Sequence, residues 1–396
     1  MKRTINIYIT FAVLIIGSVL SSCSNDDEPE IPETQNTIFM YLPWSSNLTN
    51  YFYQNIRDME SNICQMGGLA NDRVIVFMST SPTEASVYEI EYKNGTCTHT
   101  PIATYSNYPF TTEEGLTSLL QDLKVCAPAK KYSMIIGCHG MGWLPVNASR
   151  ALYSTEKYHY EYENSGLLTR YFGGTTKDFQ TDISTLSNAI SNANLKMEYI
   201  LFDDCYMSSI EVAYELKDVT DYLIASTCEV MAYGMPYATM GKHLLGIPNY
   251  KAVCDEFYKF YSTYDAMPCG TLSVTDCSEL DEMAALMRYI NQNYEFDETK
   301  ISSLQRLDGY SPTIFFDYGD YVNKMLDYNN VDKAFVDEFN RQLSATVPYK
   351  TNTEKYFTAS RGPLPIYTYS GITTSDPSVS PKASEKVTTK WYNATH

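Results

Sequence analysis

Two apolar runs, Tyr132 to Cys138 and Met197 to Phe202, set the tightest limit on what this chain can fold into, because polar residues scarcely interrupt them. A strand wetted on one face alternates apolar with polar. A nearly continuous run marks a strand covered on both faces, as in a parallel sheet between two helical layers. The surrounding sequence keeps that rhythm. Thr37 to Leu42 reads as a strand, Leu48 to Ile63 as a helix and Arg73 to Met78 as a strand. Ser86 to Tyr92 and Cys97 to Ala103 flank Lys93-Asn94-Gly95-Thr96, where Asn-Gly supplies the positive φ angles of a tight hairpin turn. Thr111 and Glu114 suit a capping box for a helix carrying Leu116, Leu119, Leu120 and Leu123. An amphipathic segment from Ile183 to Ala193 leads into the second apolar run, and Tyr222 to Ala225 supplies a third. The expected class is α/β with a mostly parallel central sheet. Further on, helices are predicted at Tyr250 to Tyr261, Glu279 to Asn293 and Ala334 to Ala345, in an appended mixed α+β region.

The chain opens with Lys2 and Arg3 ahead of an apolar run from Ile5 to Leu20, short for a membrane span and laid out like a signal peptide. Leu20-Ser21-Ser22-Cys23 resembles a bacterial lipobox, which implies that residues 1–22 are removed and that Cys23 carries acyl chains such as palmitate. Residues 23–36 hold Asp26, Asp27, Glu28, Glu30 and Glu33 with almost nothing apolar, so they form a tether and not a folded unit. An acidic stretch directly after Cys23 resembles the export signals of surface lipoproteins. The protein is therefore expected to be anchored to the outer membrane, facing outward, and not to span it. Residues 37–248 are expected to form one domain, with residues 249–396 packed on it.

A net charge of -18 with no clustered Lys and Arg excludes nucleic acid as a partner. Ten cysteines are scattered with no Cys-x-x-Cys pair, so a metal site is not indicated. An exported protein can oxidise some of them, but spacing assigns no pairs.

The two apolar strands end in Gly137-Cys138-His139-Gly140 and in Asp203-Asp204-Cys205. Sites in parallel sheets are built at the carboxyl ends of strands. Of five histidines only His139 follows an apolar strand, and it precedes a Gly that lets backbone approach a ligand. Strand alternation would put Asp203 and Cys205 on one side and Asp204 on the other. A helix read from Tyr206 to Leu216 would start directly after Cys205, where its positive end favours a thiolate. Cys205 then suits a nucleophile and His139 its proton partner, with the N–H groups of Gly140 and Cys205 around the oxyanion.

His-Gly followed by Asp-x-Cys on successive strands resembles the caspase-like cysteine peptidases, and the flanking text resembles the clostripain family. Matching stretches are Thr37 to Leu42 with Asn47-Leu48, Ala129 to Trp143, Thr169 to Gly174, Cys205 to Leu216, and Tyr222 to Ser226 leading to Gly234-Met235-Pro236-Tyr237. Weaker echoes run from Phe316 to Tyr321 and on to Trp391-Tyr392. The resemblance implies a caspase-like α/β/α sandwich and an endopeptidase that cuts protein or peptide substrates after Arg or Lys. It implies Asp203, and Ser226 at the next strand end, in the specificity pocket, and self-cleavage between the two blocks, with Arg150 and Lys157 as candidate sites. No cofactor is required by such chemistry. The calcium requirement found in parts of the family has no motif here, and a monomer is expected. Three features depart from the family pattern: Asp204 where a small residue is usual, Cys138 beside the histidine, and the segment Thr227 to Tyr233. They motivate an alternative, a surface-binding lipoprotein that keeps the fold without the activity. A transferase with the same Cys nucleophile is a third reading.

Overall fold

The first strand of the computed structural model, β1 (Asn36–Leu42), is buried at every position, as a strand covered on both faces must be. The structure describes residues 34–146, 173–174 and 176–396. After β1 come α1 (Thr49–Met66), β2 (Arg73–Ser79), β3 (Glu84–Lys93), β4 (Thr96–Ser106), α2 (Glu113–Cys126) and β5 (Lys131–Ile136). Then follow α3 (Ile183–Asn192), β6 (Met197–Phe202), α4 (Ile210–Leu216), β7 (Thr220–Ala225), α5 (Tyr237–Met240) and α6 (Tyr250–Tyr261). The remainder is β8 (Thr271–Asp276), α7 (Leu280–Asn293), β9 (Phe316–Asp317), α8 (Tyr318–Tyr328), α9 (Lys333–Thr346), β10 (Tyr349–Asn352), β11 (Lys355–Thr358), β12 (Gly362–Pro365), β13 (Thr373–Thr374) and α10 (Lys390–Thr395).

Among the described residues the central sheet has nine strands, in the order β10-β8-β7-β6-β5-β1-β2-β3-β4. β2, β1, β5, β6 and β7 run parallel, and antiparallel strands flank them at both edges. Side chains alternate between the two faces. Phe39 and Tyr41 join one core with α2, α3, α4 and α7, while Ile38 and Met40 join a second with α1, α5 and α6. Each fully buried Leu, Ile or Phe in these layers contributes roughly 1.5–3 kcal/mol. The α/β/α sandwich is thus in place.

β8 and β10, which follow residue 248, extend the central sheet beside β7. The signal in β8 was masked by Thr271, Ser273 and Thr275, which are buried at no more than 1 % exposure. Ser273 is tolerated because its hydroxyl is bonded to Ser208 Oγ at 2.8 Å and to the Gly371 carbonyl, and Thr271 because its hydroxyl is bonded to Ser226 Oγ at 2.8 Å. The cap of α2 is Thr112, whose hydroxyl accepts from the Gly115 N–H at 3.1 Å, one residue later than the box read around Thr111.

The topology fixes where a site can form. The chain steps from β1 outward to β2 on one side and to β5, β6 and β7 on the other. The strand order therefore reverses between β1 and β5, and crevices form at such a switch, at the carboxyl ends.

Candidate active site

The His and Cys blocks meet because β5 and β6 are parallel neighbours. Ile136 is in register with Phe202, and the Asp203 N–H donates to the Ile136 carbonyl at 2.8 Å. Beyond the strands the Cys138 N–H donates to Asp204 Oδ1 at 2.7 Å. Gly140 then lies directly on Cys205. A Cβ at position 140 would stand 2.3 Å from the Cys205 carbonyl oxygen and 2.9 Å from its nitrogen, so only glycine permits this approach. His139 and Cys205 are both buried, on adjacent strand ends.

The His139 ring is held from the neighbouring strand. Asn47, in the connection from β1 to α1, places Oδ1 2.9 Å from His139 Nε2. An amide oxygen only accepts, so in this contact Nε2 is the nitrogen that carries the proton. Asn47 was a sequence match without a role, and only the strand order, which puts β1 beside β5, could have given it one. The His139 N–H donates to the Gly173 carbonyl at 3.1 Å, and Gly173 adopts a φ of +100°. Gly173 thus lies against the histidine.

Around Cys205 the structure corrects the expected helix. Tyr206 has a φ of +61°, a left-handed conformation that stops any helix starting there. Its N–H donates to the Cys228 carbonyl at 3.1 Å, and the Ser208 N–H to the Ser226 carbonyl at 2.9 Å, so the segments after β6 and β7 are joined in a sense opposite to the parallel strands. α4 begins only at Ile210, capped by Ser209, whose hydroxyl accepts from the Val212 N–H at 3.3 Å. Its positive end is therefore not at Cys205. A nearer influence is the Val230 N–H, which donates to Cys205 Sγ at 3.3 Å and favours negative charge on sulfur.

Asp203 and Asp204 turn to different partners. Asp203 accepts from the Met235 N–H at 3.0 Å and the Tyr237 hydroxyl at 3.1 Å, in the layer of α1, α5 and α6. Cys205 packs with the opposite cluster. Asp204 points to the Cys138 side, its second oxygen 3.4 Å from Cys138 Sγ. Ser226 is fully buried, bonded to Thr271 Oγ1 at 2.8 Å and to the Cys228 carbonyl at 3.0 Å, so its hydroxyl shapes the turn. Burial pushes the Cys228 thiol up to about 12, with hydrogen bonds to Thr271 and Ser226 acting in the other direction. Glu229 escaped the sequence reading: it accepts from the Tyr206 hydroxyl at 2.7 Å and the Ala359 N–H at 2.9 Å. Phe315 stacks on Tyr206, the residue after Cys205, with ring centroids 5.0 Å apart.

The sequence matches the model of the clostripain family, peptidase C11, over residues 40–378. The chain belongs to the clostripain family. A secreted C11 cysteine protease from Bacteroides thetaiotaomicron is 55% identical, with 92% of this chain and 99% of that one covered and a TM-score of 0.84. A clostripain from Bacteroides thetaiotaomicron ATCC 29148, solved with the peptide inhibitor BTN-VLTK-AOMK, is 62% identical over 57% of this chain and 99% of that one, with a TM-score of 0.55. An inactive zymogen C11 protease from Parabacteroides distasonis is 25% identical over 92% and 99% of the two chains, with a TM-score of 0.76. No curated protein matches. The chain is thus a clostripain-family cysteine protease with a caspase-like sheet.

Arg150, Lys157 and Cys23 lie outside the described residues of this clostripain-family protein. Among the described residues no three His, Cys, Asp or Glu side chains are grouped to hold a metal ion. No helix among them is long and apolar enough to cross a membrane.

Proposed function

We propose that the protein is an endopeptidase cleaving after Arg or Lys, with Cys205 as nucleophile, His139 as proton carrier and Asn47 holding the imidazole. The observation that carries this reading is the 2.9 Å contact between His139 Nε2 and Asn47 Oδ1, on a histidine whose following glycine rests against Cys205. In the reaction Nδ1 takes the thiol proton and Cys205 sulfur attacks the scissile carbonyl. The N–H groups of Gly140 and Cys205 receive the oxyanion. The C–N bond breaks as the imidazolium protonates the leaving amine, and water then hydrolyses the thioester with the imidazole as base. Every step is carried by this chain's own groups.

Asp203 is the proposed source of basic specificity. The Met235 N–H and the Tyr237 hydroxyl hold its buried carboxylate two residues before Cys205, and a buried carboxylate favours a cationic partner. The relative's inhibitor, whose VLTK peptide ends in lysine, supports the same preference. Ser226 contributes by holding the turn at the end of β7. Self-cleavage at Arg150 or Lys157, and anchoring through Cys23 to the outer membrane, complete the proposal. The return of the intervening segment at Gly173, bonded to His139, supports a link between cleavage there and the site.

The test is product analysis with peptides that differ only at one position, carrying Lys, Arg or Glu. Cutting on the carboxyl side of Lys or Arg and not of Glu is expected. Cutting that ignores this residue would overturn the basic preference, and absence of any product would favour the inactive surface-binding reading.

A further inference from the structure

The geometry points to a disulfide between Cys64 and Cys97 as a covalent modification of this protein, pinning the last turn of α1 to the outermost strand of the sheet. Their sulfurs stand 3.6 Å apart, and both residues are only partly buried. A disulfide requires about 2.05 Å, a closure within reach of small side-chain rotations.

The alignment does not depend on the cysteines alone. Glu60 and Cys64 are four residues apart on α1 and share a face, while Cys97 and His99 are two apart on β4 and share a side. Glu60 Oε1 bonds to His99 Nε2 one turn before the sulfur pair, so two matched contacts hold helix and strand in one register. Tyr88 stacks on the same His99 ring with centroids 4.4 Å apart. β4 also has reason to be tied down, since it is an edge strand with one side of its backbone unpaired in the sheet.

The chemistry requires an oxidant, and a small disulfide such as oxidised glutathione suffices. One cysteine thiolate attacks that disulfide, forming a mixed disulfide and releasing one thiol. The second cysteine sulfur attacks the first protein sulfur, closing Cys64–Cys97 and releasing the second thiol. The two protons lost by the cysteines end on the departing thiols, and the oxidant gains the two electrons. Burial, then the hydrogen bond and charge of Cys64, push the Cys97 thiol up to about 12, so closure is fastest at alkaline pH or during folding.

The experiment equilibrates the mature full chain with oxidised and reduced glutathione at pH 8, alkylates it under denaturing conditions and maps the digest by mass spectrometry. The expected product is a Cys64 peptide joined to a Cys97 peptide, separated by reductant. Alkyl groups or glutathione on both cysteines before reduction, or a link from either to another cysteine, would overturn the proposal. The oxidised protein is expected to melt about 5 °C above the reduced one. That difference should vanish in Cys64→Ser and in Cys97→Ser and persist in Cys254→Ser; the same difference in all three would refute the staple. If a variant does not fold, the wild-type peptide map still decides.

Discussion

Asn47 Oδ1 lies 2.9 Å from Nε2 of His139, so a residue following β1 sets the tautomer of a residue following β5. The contact spans the one place in the sheet where strand order reverses. It fixes the orientation of a buried imidazole.

Replacing Asn47 by Ala should therefore lower kcat/KM on basic peptide reporters by roughly 10- to 100-fold, the value of one oriented hydrogen bond. KM should change little. Asn47→Asp keeps an acceptor and adds a negative charge that favours the imidazolium, so it should retain more activity and move the histidine limb of the pH profile upward. Steady-state kinetics across pH separates these results from a loss of folded protein, which would leave the profile in place.

Gly140→Ala should be far more damaging than its size suggests. The new methyl would meet Cys205 backbone at 2.3 Å, and neither strand end can yield without moving the N–H groups assigned to the oxyanion. A fall of about 100-fold or more in kcat is expected, measured on protein whose circular dichroism matches wild type.

Asp204 anchors the turn that presents His139. Asp204→Ala leaves the Cys138 N–H buried without its 2.7 Å acceptor and should cost about 1–3 kcal/mol in urea unfolding. Asp204→Asn supplies an amide oxygen and should recover most of that loss. Equal stability of the two variants would show that the hydrogen bond is not the reason for the carboxylate.

Much of this was legible in the sequence, for a physical reason. The buried runs ending at Cys138 and Phe202 carry no ambiguity about face, so they gave the sheet, its parallel sense and the two strand-end motifs. Met197–Phe202 and Tyr250–Tyr261 have the predicted bounds. What escaped notice depends on long-range contacts. The positive φ of Tyr206 is stabilised by pairing with Cys228, and nothing in the apolar pattern from Tyr206 to Leu216 reports it. β8 was obscured because buried hydroxyls read as polar until their partners are known. Asn47 and Glu229 gain roles only from elements distant in sequence.

Glu211, on α4, gives a pH dependence of stability. It accepts from the Thr374 hydroxyl at 3.1 Å and the Ser375 N–H at 2.7 Å, and burial first, then the nearby charge of Asp376, push its carboxyl from 4.5 up to about 7. Below pH 4.5 it is protonated in folded and unfolded chains alike, and no penalty exists. As pH rises from there to about 7 the unfolded chain ionises first, so stability is lost across that interval, on the order of 3 kcal/mol. Thermal melts should show Glu211→Gln gaining on wild type from pH 5 to 7.5 and matching it near pH 4. Parallel curves would contradict this.

The most direct test of the catalytic assignment is to treat the mature protein with a lysine-bearing peptide electrophile and locate the adduct by mass spectrometry. Cys228, Cys254 and Cys269 are pushed up to about 12, 12 and 11 by burial and should stay unreactive. The expected result is one adduct per chain, on Cys205, formed slowly or not at all in His139→Ala, with hydrolysis lost in proportion to labelling. Adducts spread over other cysteines, or full hydrolysis remaining once Cys205 is modified, would contradict the assignment.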